Sequence, residues 1–292
     1  MRKSAHSRTA EITAAIRAGH YLYDDPLVFS DPYALALTSG LWRTIFGSRW
    51  LHHFVIRRLL SSLRPVHGWI LCRDLVTDLV VEAYIRSGGG QFVVLGAGFD
   101  TSVLRRPQWL SSLNIVEVDH PATQAVKIER MARLGAPLPA NNFSRIAIDF
   151  ETESLADCLA RPEFQGHRST LFAWQGVIYY LSTEAIKDTL TAISSSTPPG
   201  SELLFDFLMP DNSLSPENGR AKFLAGMITA RLGERYISFH TEQSITALLN
   251  ECGFDVITIT LDEELQQTHL GERTDGLTAM RGFGIAHARV RG

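Results

Sequence analysis

The chain has 292 residues, 45% of them hydrophobic, with a net charge of −3 at neutral pH and three cysteines. That length suits one large domain with a full core, or two small ones. The faintly acidic balance offers no basic surface for nucleic acid, and no run approaches 18 uninterrupted apolar residues, so neither a nucleic-acid nor a membrane partner is expected.

Residues 1 to about 86 read as a helical cap. Ala10, Ala14, Ala15 and Ala18 form an apolar stripe with Ile12 and Ile16, and Gly19 should stop it. Trp50 to Leu63 is amphipathic, with Phe54, Leu59 and Leu60 set against Arg57, Arg58 and Arg64. The pattern resumes from Trp69 to Ile85 and ends at Gly88-Gly89-Gly90, a tight connector. Cys72, Cys158 and Cys252 lie far apart and read as reduced core thiols of a cytoplasmic protein. The histidines show no metal-ligand spacing, so no metal is expected.

From Gln91 onward strands and helices alternate. Strands are predicted at 92–95, 114–118, 144–148, 170–174, 201–207, 254–260 and 283–289. This argues for an α/β fold: a doubly wound, seven-stranded, mostly parallel sheet with helices on both faces. Pro121 opens a helix that should run to Leu134, Ser182 and Thr241 cap two others, and no helix is expected before the last strand, which should run antiparallel. Residues 208–240 interrupt the rhythm after the fifth strand. Pro210, Pro216 and Gly219 suggest a loop, then Phe223, Leu224, Met227, Ile228 and Leu232 an amphipathic helix. An insertion at the carboxyl end of such a sheet reads as a lid over the ligand crevice, with Phe223 and Met227 as acceptor contacts.

The chemistry concentrates at the end of the first strand. Phe92-Val93-Val94-Leu95 runs into Gly96-Ala97-Gly98, and the second strand ends on Asp119, 21 residues after Gly98. Glycines there let a ligand approach the backbone, and an acid at the next strand end can accept from two ribose hydroxyls. A dinucleotide site would want a third glycine opening a long helix; here Thr101 and Pro107 stand in the way, and Asp100 would repel phosphate. S-adenosylmethionine, a nucleoside without phosphate, fits better than NAD.

Further motifs lie in order along the chain: Arg73-x4-Asp78, Val94 through Thr101, Glu117-Val118-Asp119-His120-Pro121 with Lys127, Asp149-Phe150, and Trp174-Gln175-Gly176-Val177-x2-Tyr180-Leu181. Together they resemble the leucine carboxyl methyltransferase-like family, including its bacterial natural-product O-methylating branch, over nearly the whole chain. The resemblance implies a Rossmann-like class I methyltransferase fold in one domain: a cap over 1–90, a sheet core over 91–292 and the lid at 208–240. It implies that Arg73 pairs with the cofactor carboxylate and that Gly96 and Gly98 cradle the methionine portion. Asp119 would hold the ribose, Asp149 and the Phe150 amide the adenine, and Tyr179 and Tyr180 would face the acceptor, with Tyr180 orienting its oxygen. Two positions depart from the family pattern. Gln175 stands where Glu is usual against the cofactor ammonium, and Ser102 stands where the bacterial branch tends to have Arg. The implied activity is O-methylation of a small metabolite; a protein or peptide C-terminal carboxylate, or cofactor binding without transfer, are the alternatives. A phenol acceptor would want a base, for which His240, His120 and His6 are candidates, whereas a carboxylate would want a cation such as Arg17, Arg43 or Arg220.

Overall fold

The computed structural model describes residues 7–135, 141–149, 153–211, 216–271 and 273–292, with 216–218 as backbone alone. Strands β1 (Gln91–Leu95), β2 (Asn114–Asp119), β3 (Phe143–Ala147), β4 (Thr170–Trp174), β5 (Glu202–Leu208), β6 (Phe254–Leu261) and β7 (Phe283–Val290) form one sheet in the order β3-β2-β1-β4-β5-β7-β6. The first five strands pair in parallel, and β7 inserts antiparallel between β5 and β6. Each strand overlaps its predicted apolar run. The chain leaves β1 toward β2 and β3, then returns to place β4 on the other side of β1. That reversal opens a crevice at the carboxyl ends of β1, β2 and β4, where sheets of this kind bind ligands.

The helices are α1 (Arg8–Tyr23), α2 (Gly40–Gly47), α3 (Arg49–His52), α4 (Arg64–Arg86), α5 (Ser102–Arg105), α6 (Pro121–Ala132), α7 (Leu155–Leu159), α8 (Thr183–Ser196), α9 (Pro216–Arg231), α10 (Glu242–Glu251) and α11 (Asp262–Leu265). Ser182 caps α8 by accepting from the Ala185 amide at 3.2 Å, and Thr241 caps α10 with a reciprocal Ser244 bond. Alternate strand residues serve opposite faces: Val93, Val116 and Phe172 join one buried cluster, Phe92, Ile115 and Leu171 the other. Two buried faces explain why these strands read as unbroken apolar runs.

The cap differs from expectation in two places. Gly19 does not end α1, which continues to Tyr23. A Cβ at Gly19 would lie 2.5 Å from the Phe46 ring and 2.8 Å from His52 Nε2, so the glycine marks where the α2–α3 segment presses on α1. The amphipathic stretch 50–63 is not one helix either. After α3 it widens into a π-helical run over His53–Leu59, then a short 3-10 turn over Ser61–Leu63. Pro65, which has no amide hydrogen to donate, instead sits in the first turn of α4. A third difference lies between β6 and β7, where α11 and a π-helical turn over Gln266–Leu270 intervene, anchored by buried Leu265 and Leu270.

Candidate cofactor and acceptor site

The loop after β1 is shaped by its glycines. Gly96 has φ +68° and Gly98 φ +49°, backbone that side chains rarely adopt. Space is short as well: a Cβ on Gly96 would lie 2.7 Å from Val177 Cγ2, and one on Gly98 3.1 Å from the Ala10 methyl. The loop is tied to the end of β2. The Asp119 carboxylate accepts from the Gly98 amide and, at 2.6 Å, from the His120 amide. Burial pushes the Asp119 carboxyl upward, and these two bonds and Lys127 oppose it. Asp100 closes the loop's far side, accepting from the Ser102 amide at 2.9 Å and its hydroxyl at 2.5 Å. Ser102 thus has a structural use here.

These elements enclose a cavity of about 940 Å³. Of the residues singled out by sequence, Arg73, Gly96, Gly98, Asp119, Asp149 and Gln175 line it, and so do Tyr179 and Tyr180. Phe150 lies outside the described residues. Phe223 and Met227 do not line the cavity. They are exposed on α9, Phe223 by 65%, and the residues after that helix, Gly233, Glu234 and Arg235, reach the cavity instead. The lid's end is held in place by Ile237, whose amide donates to the Tyr179 carbonyl at 2.8 Å, and by Tyr236, whose ring packs on Tyr179 and Tyr180. Across the mouth, the Ser7 hydroxyl donates to Glu234 at 3.2 Å, linking the cap to the lid.

Arg73 rises from α4 into this space. Its Nε and Nη1 reach Asp74 at 3.4 Å and Asp206 at 3.3 Å, while Asp206 also accepts from the Gly176 amide at 2.6 Å. Burial opposes the Arg73 charge, but Asp206 and Asp74 outweigh it and hold the guanidinium firmly protonated. Beside it, Arg17 is anchored by Asp31 at 2.8 Å, Asp74 at 3.5 Å and the Phe99 carbonyl at 2.6 Å, and Arg105 by two bonds to Asp78. Sequence reading missed Asp206, Asp74 and Arg105 as site residues. A signal for Asp206 was present: it is an acid flanked by Phe205 and Phe207 in a strand buried on both faces, and a charge in that setting needs a partner.

Gln175 is the most telling residue. Its amide oxygen and nitrogen are both buried, and neither has a hydrogen-bond partner among the described residues. An unsatisfied buried amide costs on the order of 1–3 kcal/mol, so native structures seldom keep one without a ligand or water to fill it. The residue lies between Trp174, the last residue of β4, and Gly176, beside Arg73. The corner thus sets an unpartnered amide next to the Gly176–Arg73 contact. Asp119 lines the cavity at the other end of the loop.

No base stands ready at the acceptor end. Burial pushes the Tyr179 and Tyr180 hydroxyls well above the usual phenol range, so both remain proton donors. His120 caps α6, its Nδ1 accepting from the Ala122 amide at 3.1 Å. His240 is buried away from the cavity lining, and burial lowers its pKa; His6 lies outside the described residues. Arg43 and Arg220 are exposed on the cap and lid and do not line the cavity.

Known proteins resemble this chain. The model of the leucine carboxyl methyltransferase family matches residues 10–194. YktD of Bacillus subtilis (strain 168), named as a putative S-adenosyl-L-methionine-dependent methyltransferase, is 28% identical and is covered over 99% of each chain. A Mycolicibacterium paratuberculosis protein of the same description is 30% identical, over 70% of this chain and 74% of its own. Among solved structures, a DUF574 family protein from Streptomyces avermitilis shares the fold at TM-score 0.61 and 16% identity, over 99% of this chain and 98% of its own. Magnesium protoporphyrin IX methyltransferase from Synechocystis, solved with S-adenosylhomocysteine bound, does so at TM-score 0.50 and 15% identity, over 86% of this chain and 93% of its own. Glycine loop, strand-end acid and unsatisfied Gln175 thus sit in a chain that belongs to the leucine carboxyl methyltransferase family and is an S-adenosylmethionine-dependent methyltransferase.

Proposed function

We propose that the protein methylates an oxygen of a small metabolite, and that this oxygen is a carboxylate. The observation that carries the reading is a cation left over, at a lining whose one histidine among the described residues, His120, spends its Nδ1 on the α6 cap and whose Glu234 is bonded to Ser7. Arg17, Arg73 and Arg105 are each ion-paired, whereas Arg235 lines the cavity with no ion pair among the described residues. A carboxylate is already ionised at neutral pH and needs no general base; a phenol would. When bound, S-adenosylmethionine supplies a methyl on a sulfonium, which passes in line to the acceptor oxygen as the carbon–sulfur bond breaks and its electron pair returns to sulfur.

The protein's share is positioning and exclusion of water. In this reading Arg73, Gln175 and Asp119 hold the cofactor, Asp149 and Phe150 its adenine, and Arg235 draws the acceptor anion. The Tyr180 hydroxyl donates to the acceptor oxygen not being methylated. The Ser7–Glu234 link and the aromatic wall of Tyr179, Tyr180 and Tyr236 favour an enclosed metabolite over a peptide tail. Three buried free cysteines suit a reducing compartment such as the cytoplasm.

The test is a screen of carboxylic acids and phenols with methyl-labelled cofactor, followed by mild alkali. Methyl esters release labelled methanol under alkali, whereas ethers keep the label. Alkali-stable product, or label on a peptide C-terminus alone, would contradict the proposal.

A further inference from the structure

Charge along the chain is unevenly divided. Residues 32–73 contain Arg43, Arg49, Arg57, Arg58, Arg64 and Arg73 and no Asp or Glu, in a chain whose net charge is −3. Arg57, Arg64 and Arg73 pair inward with Asp24, Asp275 and Asp206. Arg43, Arg49 and Arg58 are exposed and make no ion pair among the described residues.

Large apolar side chains share that surface. Trp50 is 71% exposed, Phe54 42% and Leu59 62%, and the Trp50 and Phe54 rings stack on each other at 5.7 Å and 4°. In α3 and the π-helical run after it these three lie about one turn apart, and exposed Arg49, His53 and Arg58 follow the same spacing one residue earlier. An apolar stripe and a stripe carrying Arg49 and Arg58 therefore run side by side on the outside. The fold does not need them there, because the inward face is already filled by His52 and Ile56 against Ile45 and Phe46. Leu41, 70% exposed, adds to the surface from α2. The lid helix α9 packs against residues 61–63 and carries exposed Arg220, Phe223, Met227 and Arg231.

We propose that this face seats the protein peripherally on an anionic lipid bilayer. Trp, Phe and Leu partition into the headgroup–acyl boundary, and arginines beside them reach lipid phosphates while their stems stay in apolar surroundings. A second copy of the chain is a poor occupant, since a two-fold contact would set Arg49 and Arg58 close to their own images. No helix among the described residues is long and apolar enough to cross a membrane, and surface binding needs none. Because α2 packs on α1, and α1 lines the cavity, a seated cap would hold the cavity's cover at the lipid surface.

The test is co-sedimentation of the full chain with phosphatidylcholine vesicles, with and without about 30% phosphatidylglycerol. We expect at least ~10-fold stronger partitioning onto the anionic vesicles, weakened by salt and accompanied by a blue shift of tryptophan emission. The pairs Trp50→Ser/Phe54→Ser and Arg49→Gln/Arg58→Gln should each reduce partitioning ~10-fold with unchanged melting temperature, as the side chains are exposed. Equal binding to both vesicle types overturns the proposal. So does loss with the arginine pair alone, which would mean attraction without seating. A concentration-dependent dimer that Trp50→Ser/Phe54→Ser dissolves, with no vesicle binding, would assign the face to self-association instead.

Discussion

Gln175 is the residue on which the proposed cofactor seat turns. In the proposed seat its buried, unsatisfied carbonyl meets the cofactor ammonium, more weakly than a glutamate would, because charge-assisted hydrogen bonds are about twice as strong as neutral ones. Gln175→Glu should therefore tighten S-adenosylhomocysteine binding by ~1 kcal/mol, while the free protein loses stability from a carboxylate placed near Asp206. Titration calorimetry and melting of the unliganded variant read the two effects separately; unchanged affinity would remove Gln175 from the ammonium site. Asp119→Ala acts at the other end of the loop. It deletes the acceptor for the Gly98 and His120 amides as well as the proposed ribose contact, so cofactor affinity should fall by ~1–3 kcal/mol. The glycine loop and Asp119 were legible because a buried strand ending in glycine and a second ending in an acid is a pattern along the chain. The Arg73–Asp206 pair was not, since its partners lie 133 residues apart and meet only when β4 and β5 align.

At the scale of elements, the strands were readable and the cap was not, for one physical reason. Strands buried on both faces carry continuous apolar runs, whereas the helices at 40–63 are apolar on the outside too, so no periodicity marks where α-helix yields to π-helix. Gly19 gives a direct probe of the cap. Gly19→Ala gains helix propensity of about 1 kcal/mol but drives a methyl into Phe46 and His52, both buried, where overpacking costs typically 1–3 kcal/mol. A net loss of up to ~2 kcal/mol is expected by denaturant unfolding, and a stabilised variant would mean that α1 and α2 part readily. The same contact is sensitive to pH. Burial depresses His52 from 6.5 to about 4, so it is neutral when folded and charges more readily when unfolded. Stability from this group is present above pH 6.5 and falls as pH drops toward 4, by on the order of 2 kcal/mol. Asp24 acts in a lower window. Burial would raise it, but His20, Arg57 and Arg64 hold it down at about 2, so its contribution is lost only below its ordinary 3.8. Melting curves of wild type and His52→Gln between pH 7 and 4 check the first window; equal pH slopes would show that His52 is not the titrating group.

For the whole molecule, the sheet order sets where everything else must be. Reversal at β1 and β4 opens the crevice, α1 and the end of the lid cover it, and the 940 Å³ between them lies at the upper end of small-molecule sites. That volume admits a nucleoside cofactor together with a modest acceptor. Which lid residues reach it was hidden in the sequence: amphipathic Phe223 and Met227 suggested the contact, yet α9 leaves them exposed and the turn after it supplies Glu234 and Arg235. A side chain's direction depends on how its helix docks, and hydrophobic spacing does not encode that. The cofactor seat is tested most directly by calorimetric titration of S-adenosylhomocysteine into the wild-type protein and Asp119→Ala, with NAD titrated in parallel. One-to-one binding of S-adenosylhomocysteine is expected, weakened ~5–150-fold by Asp119→Ala, with no heat from NAD. Binding of NAD in its place, or affinity for S-adenosylhomocysteine that Asp119→Ala leaves intact, would contradict it.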